Sequence, residues 1–311
     1  MCKSLLIGVV VVGVIMACPC IAQQPLMNYR DTSTQANKTG ALLPITAVSR
    51  DVYMVGGPGA NSGVIIGEKG VIVVDTKSPR DGDQLLSTIA SITSKPITTV
   101  ILTHSDIDHA GGIRSFPKSA DIIATAECKK DMEGSVIAKD GEAMPGMYIP
   151  THITTQGREN LTIDGVNVVL IHAAPAHTSG DLIVYLPQQK VAFGGDVLTL
   201  TRVHAVIHAE KGGLTEGWIS MAKEILALDA ESFVPGHGAL IKDKAVIQWM
   251  LDDFVNERNR IHELITQGKS LKEIEDIIGD PTPDERHGYH SEPPFPPLAQ
   301  VMYNEMTNQS N

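Results

Sequence analysis

Residues 103–112 read Thr-His-Ser-Asp-Ile-Asp-His-Ala-Gly-Gly, and this stretch limits the folds open to the chain more than any other. Four side chains able to hold a metal, His104, Asp106, Asp108 and His109, crowd a turn that directly follows the apolar, β-type run Thr98–Leu102. A buried strand ending in a tight turn can aim such donors at one point, so the fold must supply a sheet with that edge. Gly111 and Gly112 permit close backbone approach there. Three further donors stand in glycine-rich settings downstream: His177 in Ala-His-Thr-Ser-Gly-Asp, Asp196 in Phe-Gly-Gly-Asp, and His237 in Pro-Gly-His-Gly. Imidazoles and carboxylates collected in this way suit one or two divalent ions.

The surrounding pattern supplies the sheets. Val52–Val55 and Gly63–Ile66 read as strands joined by the Gly-rich turn 56–61, and Val71–Val74 as a buried strand ending at Asp75. Asp83–Ile92 fits a helix with Leu85, Leu86, Ile89 and Ile92 on one face, and Ala126–Ala138 a second. Asp164-Gly165 is a hairpin turn between Leu161–Ile163 and Val166–Ile171. Asp181–Leu186, Val191–Phe193 and Ser232–Val234 are further strands; Trp218–Leu228, Ala245–Gln267, Ser270–Ile278 and a segment near Leu298–Met306 are helices. Ser270 and Glu273 form a capping box. Strands and helices alternate in each half, and the donors sit at strand ends or in the loops that follow. This predicts two sheets packed face to face, helices outside, and a site along one edge.

With 311 residues the chain can build one large α/β domain as readily as two smaller ones. A net charge of −11 without a basic stripe argues against nucleic acid as a partner. The N-terminus reads as a targeting segment. A short basic start is followed by the apolar run Leu5–Ala17, below the about 20 residues that a bilayer-spanning helix needs. Cys20-Ile21-Ala22 then offers a cleavage site, giving a signal peptide over 1–22 and a periplasmic or secreted protein. Ile15-Met16-Ala17-Cys18 also fits a lipoprotein box, which would place a lipid anchor on Cys18; an uncleaved signal anchor is the plainer alternative. Residues 23–45 read as a polar arm. Cys2, Cys18 and Cys20 belong to the leader, so Cys128 is the thiol left to the body of the protein, and no disulfide framework is available.

The donor pattern resembles the hallmark of the metallo-β-lactamase superfamily, His-x-His-x-Asp-His followed by a distant His, Asp and His. The matching positions are His104, Asp106, Asp108 and His109, then His177, Asp196 and His237. The strand ending at Asp75, the Asn61-Ser62-Gly63 segment and Pro-Gly-His-Gly are similar to that family too. The resemblance covers about residues 45–265. It implies an α/β protein with a four-layer αβ/βα sandwich over 46–265, and a C-terminal helical extension, 266–311, packed on the same domain. It also implies two divalent metal ions, zinc by family likeness. His104, Asp106 and His177 would hold the first, Asp108, His109 and His237 the second, with Asp196 bridging. Asp75 would brace the metal turn. Asn61 and Ser62 would belong either to a flap over the substrate or to a plain β-turn, and His204 and His208 lie where relatives place substrate contacts.

One position departs from the hallmark: its second histidine is Asp106. A carboxylate is shorter than an imidazole and carries charge. Three carboxylates against two divalent ions leave about one positive charge rather than about two, which would depress the pKa of bound water less. The change should favour harder ions, Mn or Fe, although a His-His-carboxylate set also serves zinc. Alternatively Asp106 ligates nothing, or only through water, and one ion sits at Asp108, His109 and His237.

The resemblance implies a metallo-hydrolase in which a metal-bound hydroxide, oriented by Asp108, attacks a small ester, lactone, thioester or amide-type substrate. A β-lactamase is one alternative. It is disfavoured because Asp196 stands where lactamases of the cysteine type carry a thiolate. An iron-dependent redox enzyme and a non-catalytic metal- or ligand-binding module are the others. The sequence leaves the oligomeric state open.

Overall fold

The structure is a computed structural model and describes residues 41–134, 148–155, 157–200, 205–279 and 296–307. All of these fall in one unit, Asp31–Asn311. The expected leader with Cys18, most of the expected polar arm, His204 and the Pro-rich stretch from 281 to 295 lie outside the described residues.

Two sheets carry the fold. The first has seven strands in sequence order: β1 (Ile45–Ser49), β2 (Val52–Val55), β3 (Ser62–Ile66), β4 (Val71–Val74), β5 (Ile97–Ile101), β6 (Asp121–Thr125) and β7 (His152–Thr154). β1 to β4 pair antiparallel, and β4 to β7 pair parallel. The second sheet has the order β12-β11-β10-β9-β8, where β8 is Gly157–Ile163, β9 Val166–His172, β10 Ile183–Leu186, β11 Val191–Thr199 and β12 Ser232–His237. β11 and β12 run parallel, and the other pairs are antiparallel.

Strands buried on both faces read as continuous apolar runs, and the alternation of side chains assigns each residue to a layer. In β4, Ile72 and Val74 face the space between the sheets, where they meet Leu170, Val184, Phe193 and Val234 of the second sheet. Val71 and Val73 face outward with Leu85 and Ile89 of helix α1 (Gly82–Ile92) and with Met132 of helix α3 (Ala126–Gly134). β10 divides in the same way: Val184 and Leu186 turn inward, while Ile183 and Tyr185 pack with α4 (Thr215–Ala227) and α5 (Lys244–Thr266). Helices α6 (Leu271–Ile278) and α7 (Leu298–Thr307) add Ile274, Val301 and Met302 to that outer layer. The result is a four-layer αβ/βα sandwich. The Ser270–Glu273 capping box opens α6. Cys128 is buried on α3, and burial pushes its thiol well above the usual range, so it packs as an apolar group.

Three strands escape the sequence pattern. β1 and β7 are short edge strands with no apolar run, and β6 is flanked by residues that read as helix. β11 also extends through Gly194-Gly195 to Thr199, where the expected strand stops at Phe193. The pairing of β11 with β12 slips on both sides of Gly195, whose φ is 51°. That bulge bends the strand without ending it, and it turns Asp196 out of the ladder.

Among the described residues no helix is long and apolar enough to cross a membrane.

Candidate metal centre

The site lies where the parallel strands end. β4 gives way to Asp75 and β5 to the 103–112 turn, while β12 delivers His237 and the bulge in β11 presents Asp196. His177 comes from the loop between β9 and β10. The turn itself is a strand end, the short helix α2 (Ile107–Ala110) and a 3-10 helix, Gly111–Ser115. It is pinned by the segment after β4: Thr76 donates from its N–H and its Oγ1 to the carbonyl of His109, and Gly112 N–H donates to Lys77 O. A Cβ on Gly112 would lie 2.0 Å from Thr76 O, so the second glycine of the motif is required by this approach. Gly236 has the same kind of role, since a Cβ there would lie 1.9 Å from Asp196 Oδ1.

All seven donors expected from the sequence converge. His109 Nε2 lies 3.1 Å from Asp196 Oδ1, and His237 Nε2 lies 3.1 Å from Asp108 Oδ2 and 3.5 Å from Asp196 Oδ2. His177 Nε2 lies 3.1 Å from Asp106 Oδ2 and 3.8 Å from Asp196 Oδ2, and His104 Nε2 3.6 Å from Asp106 Oδ2. Three overlapping triads have ligand atoms within 4.8 Å of one another: His104, Asp106 and His177; His104, His109 and Asp196; Asp108, His109 and His237. Asp196 therefore stands between the two flanks.

Each ring is oriented through its other nitrogen. Asp75, in the left-handed region at φ 59°, accepts from Thr103 N–H at Oδ1 (2.8 Å) and from Thr103 Oγ1 at Oδ2 (2.8 Å). Its Oδ2 also lies 2.8 Å from His109 Nδ1, and a carboxylate can only accept, so His109 carries its proton on Nδ1. Thr103 has spent its one hydroxyl proton on Asp75. It must accept from His104 Nδ1, 3.0 Å away, which fixes that tautomer as well. His177 Nδ1 donates to Val206 O at 2.8 Å. In all three rings Nε2 is the atom aimed into the cluster, and it can ligate once its proton, if any, is displaced. His104 Nε2, His109 Nε2 and Asp196 Oδ1 are buried, and the polar atoms that face them are those of the cluster itself. Donors of this type are what a divalent cation binds, so the residues fit the ions that the pattern implies.

Burial opposes ionisation of Asp106 and Asp196. Attraction to His208 and His104 in the first case, and to His237 and His109 in the second, outweighs it and holds both carboxyls well below the usual range. Burial likewise opposes a charge on His109, yet Asp196, Asp75 and Asp108 hold it well above its ordinary value.

Two further residues face Asp106: His208, expected as a substrate contact, and Lys211. His208 is buried, with Nε2 3.1 Å from Asp106 Oδ2 and Nδ1 on Glu210 Oε1. Its ring therefore addresses the cluster, not an open substrate surface. Lys211 Nζ donates to Asp106 Oδ1 at 2.5 Å. This cation offsets the negative charge that Asp106 was expected to add to the centre. A single lysine three residues past a histidine carries no signal of its own.

Asn61 and Ser62 also have other places than a flap. Asn61 Nδ2 donates to Pro235 O (3.0 Å) and Gly238 O (2.9 Å), clasping the turn that carries His237, and Ser62 is buried at the start of β3. Lys77, fully buried, donates to Ala60 O at 2.5 Å and ties the 57–60 loop to the same frame.

Comparison with known proteins agrees with this geometry. A family model described as the metallo-beta-lactamase superfamily matches residues 55–237. The 2,4-dinitroanisole O-demethylase subunit alpha of Nocardioides sp. is 30% identical over 175 residues, 56% of this chain and 51% of that protein. A linear primary-alkylsulfatase of Pseudomonas sp. is 23% identical over 59% of this chain and 42% of that protein. The chain thus spans about half the length of these relatives. Among solved structures, the stereoselective inverting sec-alkylsulfatase Pisa1 from Pseudomonas sp. superposes with a TM-score of 0.63 at 17% identity, covering 85% of this chain and 50% of that one, a likeness of fold.

Proposed function

The chain belongs to the metallo-beta-lactamase superfamily of metallo-hydrolases, and on that premise we propose that it is an exported hydrolase that holds two divalent ions and cleaves a small ester, lactone, thioester or amide-type substrate. The observation that carries this reading is the convergence of buried imidazole and carboxylate ligand atoms within 4.8 Å of one another in three overlapping triads, with His104 Nε2, His109 Nε2 and Asp196 Oδ1 at their meeting point.

When bound, divalent ions lower the pKa of water from about 15.7 towards about 7 and polarise the bond to be cleaved. The chain's own residues do the rest. Asp75, Thr103 and the carbonyl of Val206 fix the tautomers of His109, His104 and His177. Burial opposes a charge on Asp108, but His109 and His237 outweigh it and keep its pKa below the ordinary value. Asp108 is therefore ionised at neutral pH and is the group we assign to take a proton from the nucleophile. Export rests on the leader over residues 1–22, which would bring the enzyme into contact with small molecules outside the cytoplasm.

The test is metal analysis of protein purified without added metal, followed by assay against p-nitrophenyl acetate, a homoserine lactone, a thioester, an alkyl sulfate and nitrocefin. About two ions per chain are expected, with turnover of at least one ester-type substrate. Asp108→Asn should lower kcat by about 10²–10⁴-fold, the usual worth of a general base. Protein that binds no divalent ion, or that turns over none of the panel when loaded, would overturn the proposal. Nitrocefin as the best substrate would move the reading to a β-lactamase.

A further inference from the structure

We propose that the segment His208–Lys211 rebuilds the half of the metal centre that Asp106 alters: His208 supplies a third imidazole to the flank of His104 and His177, and Lys211 cancels the added charge. This rests on the reading that the cluster binds metal.

The geometry centres on one oxygen. Asp106 Oδ2 lies 3.1 Å from His177 Nε2, 3.1 Å from His208 Nε2 and 3.6 Å from His104 Nε2. The His177 and His208 rings stand edge to face with centroids 4.8 Å apart. His208 is presented in the same manner as the other ligand rings, with Nδ1 held by an acceptor, Glu210, and Nε2 turned to the cluster. The other oxygen of Asp106 is taken by Lys211 Nζ at 2.5 Å, which leaves the carboxylate one oxygen for a cation.

The segment is not a passing loop. His208 N–H donates to His177 O at 2.7 Å, and Ser179 N–H donates to Lys211 O at 2.9 Å, so it moves with the loop that carries His177. Residues 209–211 form a 3-10 turn that closes on Gly212 in the left-handed region at φ 74°. Gly213 approaches so closely that a Cβ would lie 2.3 Å from His177 O. This frame brings His208 and Lys211 to opposite oxygens of a single carboxylate.

The chemical consequence is a compensated substitution. An imidazole at position 106 would bring reach and no charge. Asp106 gives up both, and the 208–211 segment returns them, a nitrogen donor from His208 and a positive charge from Lys211. Lys211 offsets the charge of Asp106 at the carboxylate itself. A flank of three imidazoles and one carboxylate suits zinc or cobalt better than the harder ions that Asp106 alone would favour.

The experiment uses the full chain loaded with Co²⁺. Each imidazole bound through Nε2 gives a hyperfine-shifted, exchangeable Nδ1–H resonance, so His104, His109, His177, His208 and His237 should each give one. His208→Gln should remove its resonance, change the d–d absorption and cut the metal content from about two ions to about one, with the remaining ion at Asp108, His109 and His237. Lys211→Met should weaken the ion on the Asp106 flank while leaving every resonance in place. In an Asp106→His, Lys211→Met background, which restores an imidazole at the motif, His208→Gln should no longer lower the metal content; circular dichroism melts confirm that each variant folds. Two ions with an unchanged cobalt spectrum in His208→Gln would overturn the inference. Wild-type protein that binds no cobalt would instead overturn the underlying reading.

Discussion

The two flanks of the centre are built from different material. The Asp108, His109 and His237 flank stands on helix α2 and the end of β12, and its histidines are governed from the sheet ends: Asp75 after β4 grips His109, and Asn61 ahead of β3 clasps the turn of His237. The Asp106, His104 and His177 flank depends on loops. His177 is oriented by the carbonyl of Val206, and Asp106 by Lys211 and His208, all from the stretch after β11. Asp75 reaches this side only through Thr103, one hydroxyl further away. A frame of paired strands fixes its donors at little further cost, whereas a loop-borne donor needs dedicated contacts. The second flank is therefore where substitution at a ligand position could be absorbed by neighbours.

The largest effect is expected at Asp196, which belongs to both flanks. Asp196→Ala should drop the metal content from about two ions to at most one and lower kcat/KM by more than the about 100-fold typical of outer partners, measured by metal analysis and steady-state kinetics on the same preparations. Retention of two ions would mean that the flanks do not share this carboxylate.

A smaller effect separates the direct brace from the relayed one. Asp75→Asn should weaken metal affinity by about 10–100-fold, and Thr103→Val should fall at the low end of that range and act on the His104 flank alone. Chelator competition of the cobalt protein resolves the two sites by their spectra. Equal losses at both sites from Thr103→Val would remove the distinction.

The smallest effect concerns charge in the metal-free protein. Burial pulls His208 and His237 down, but Asp106 and Asp196 respectively outweigh it and push both up to about 10 from 6.5. A raised folded pKa contributes stability that is complete below about 6.5 and is lost as pH climbs through about 10. The depressed carboxyls of Asp106 and Asp196 contribute stability above 3.8 that is lost on acidification. The metal-free fold should thus melt highest between these limits. Ligation requires neutral imidazoles, so the gap in Tm between loaded and metal-free protein should widen from pH 6 to pH 9. A gap that stays constant by differential scanning calorimetry would show that the imidazoles are not held charged without metal.

Much of the fold was legible because its strands are apolar on both faces and its donors follow them. Val71–Val74 and the run ending at Leu102 could be placed from composition and periodicity, and the capping box at Ser270 from residue type alone. β1 and β7 lacked that signal, since an edge strand buries too little to demand apolar residues. Gly194-Gly195 misled for a local reason: glycines usually end a strand, and here the pairing of β11 with β12 carries the strand across a bulge.

Two facing sheets and the seven candidate donors could be read from residue order alone, because hydrophobic alternation and residue chemistry are local properties that survive in one dimension. What Asp106 does was decided by the tertiary structure. Lys211 lies 105 positions away in the chain and 2.5 Å away in space. An electrostatic partner brought in by a loop leaves no periodicity to read, so the balance of charge at the centre exists only once the chain has folded.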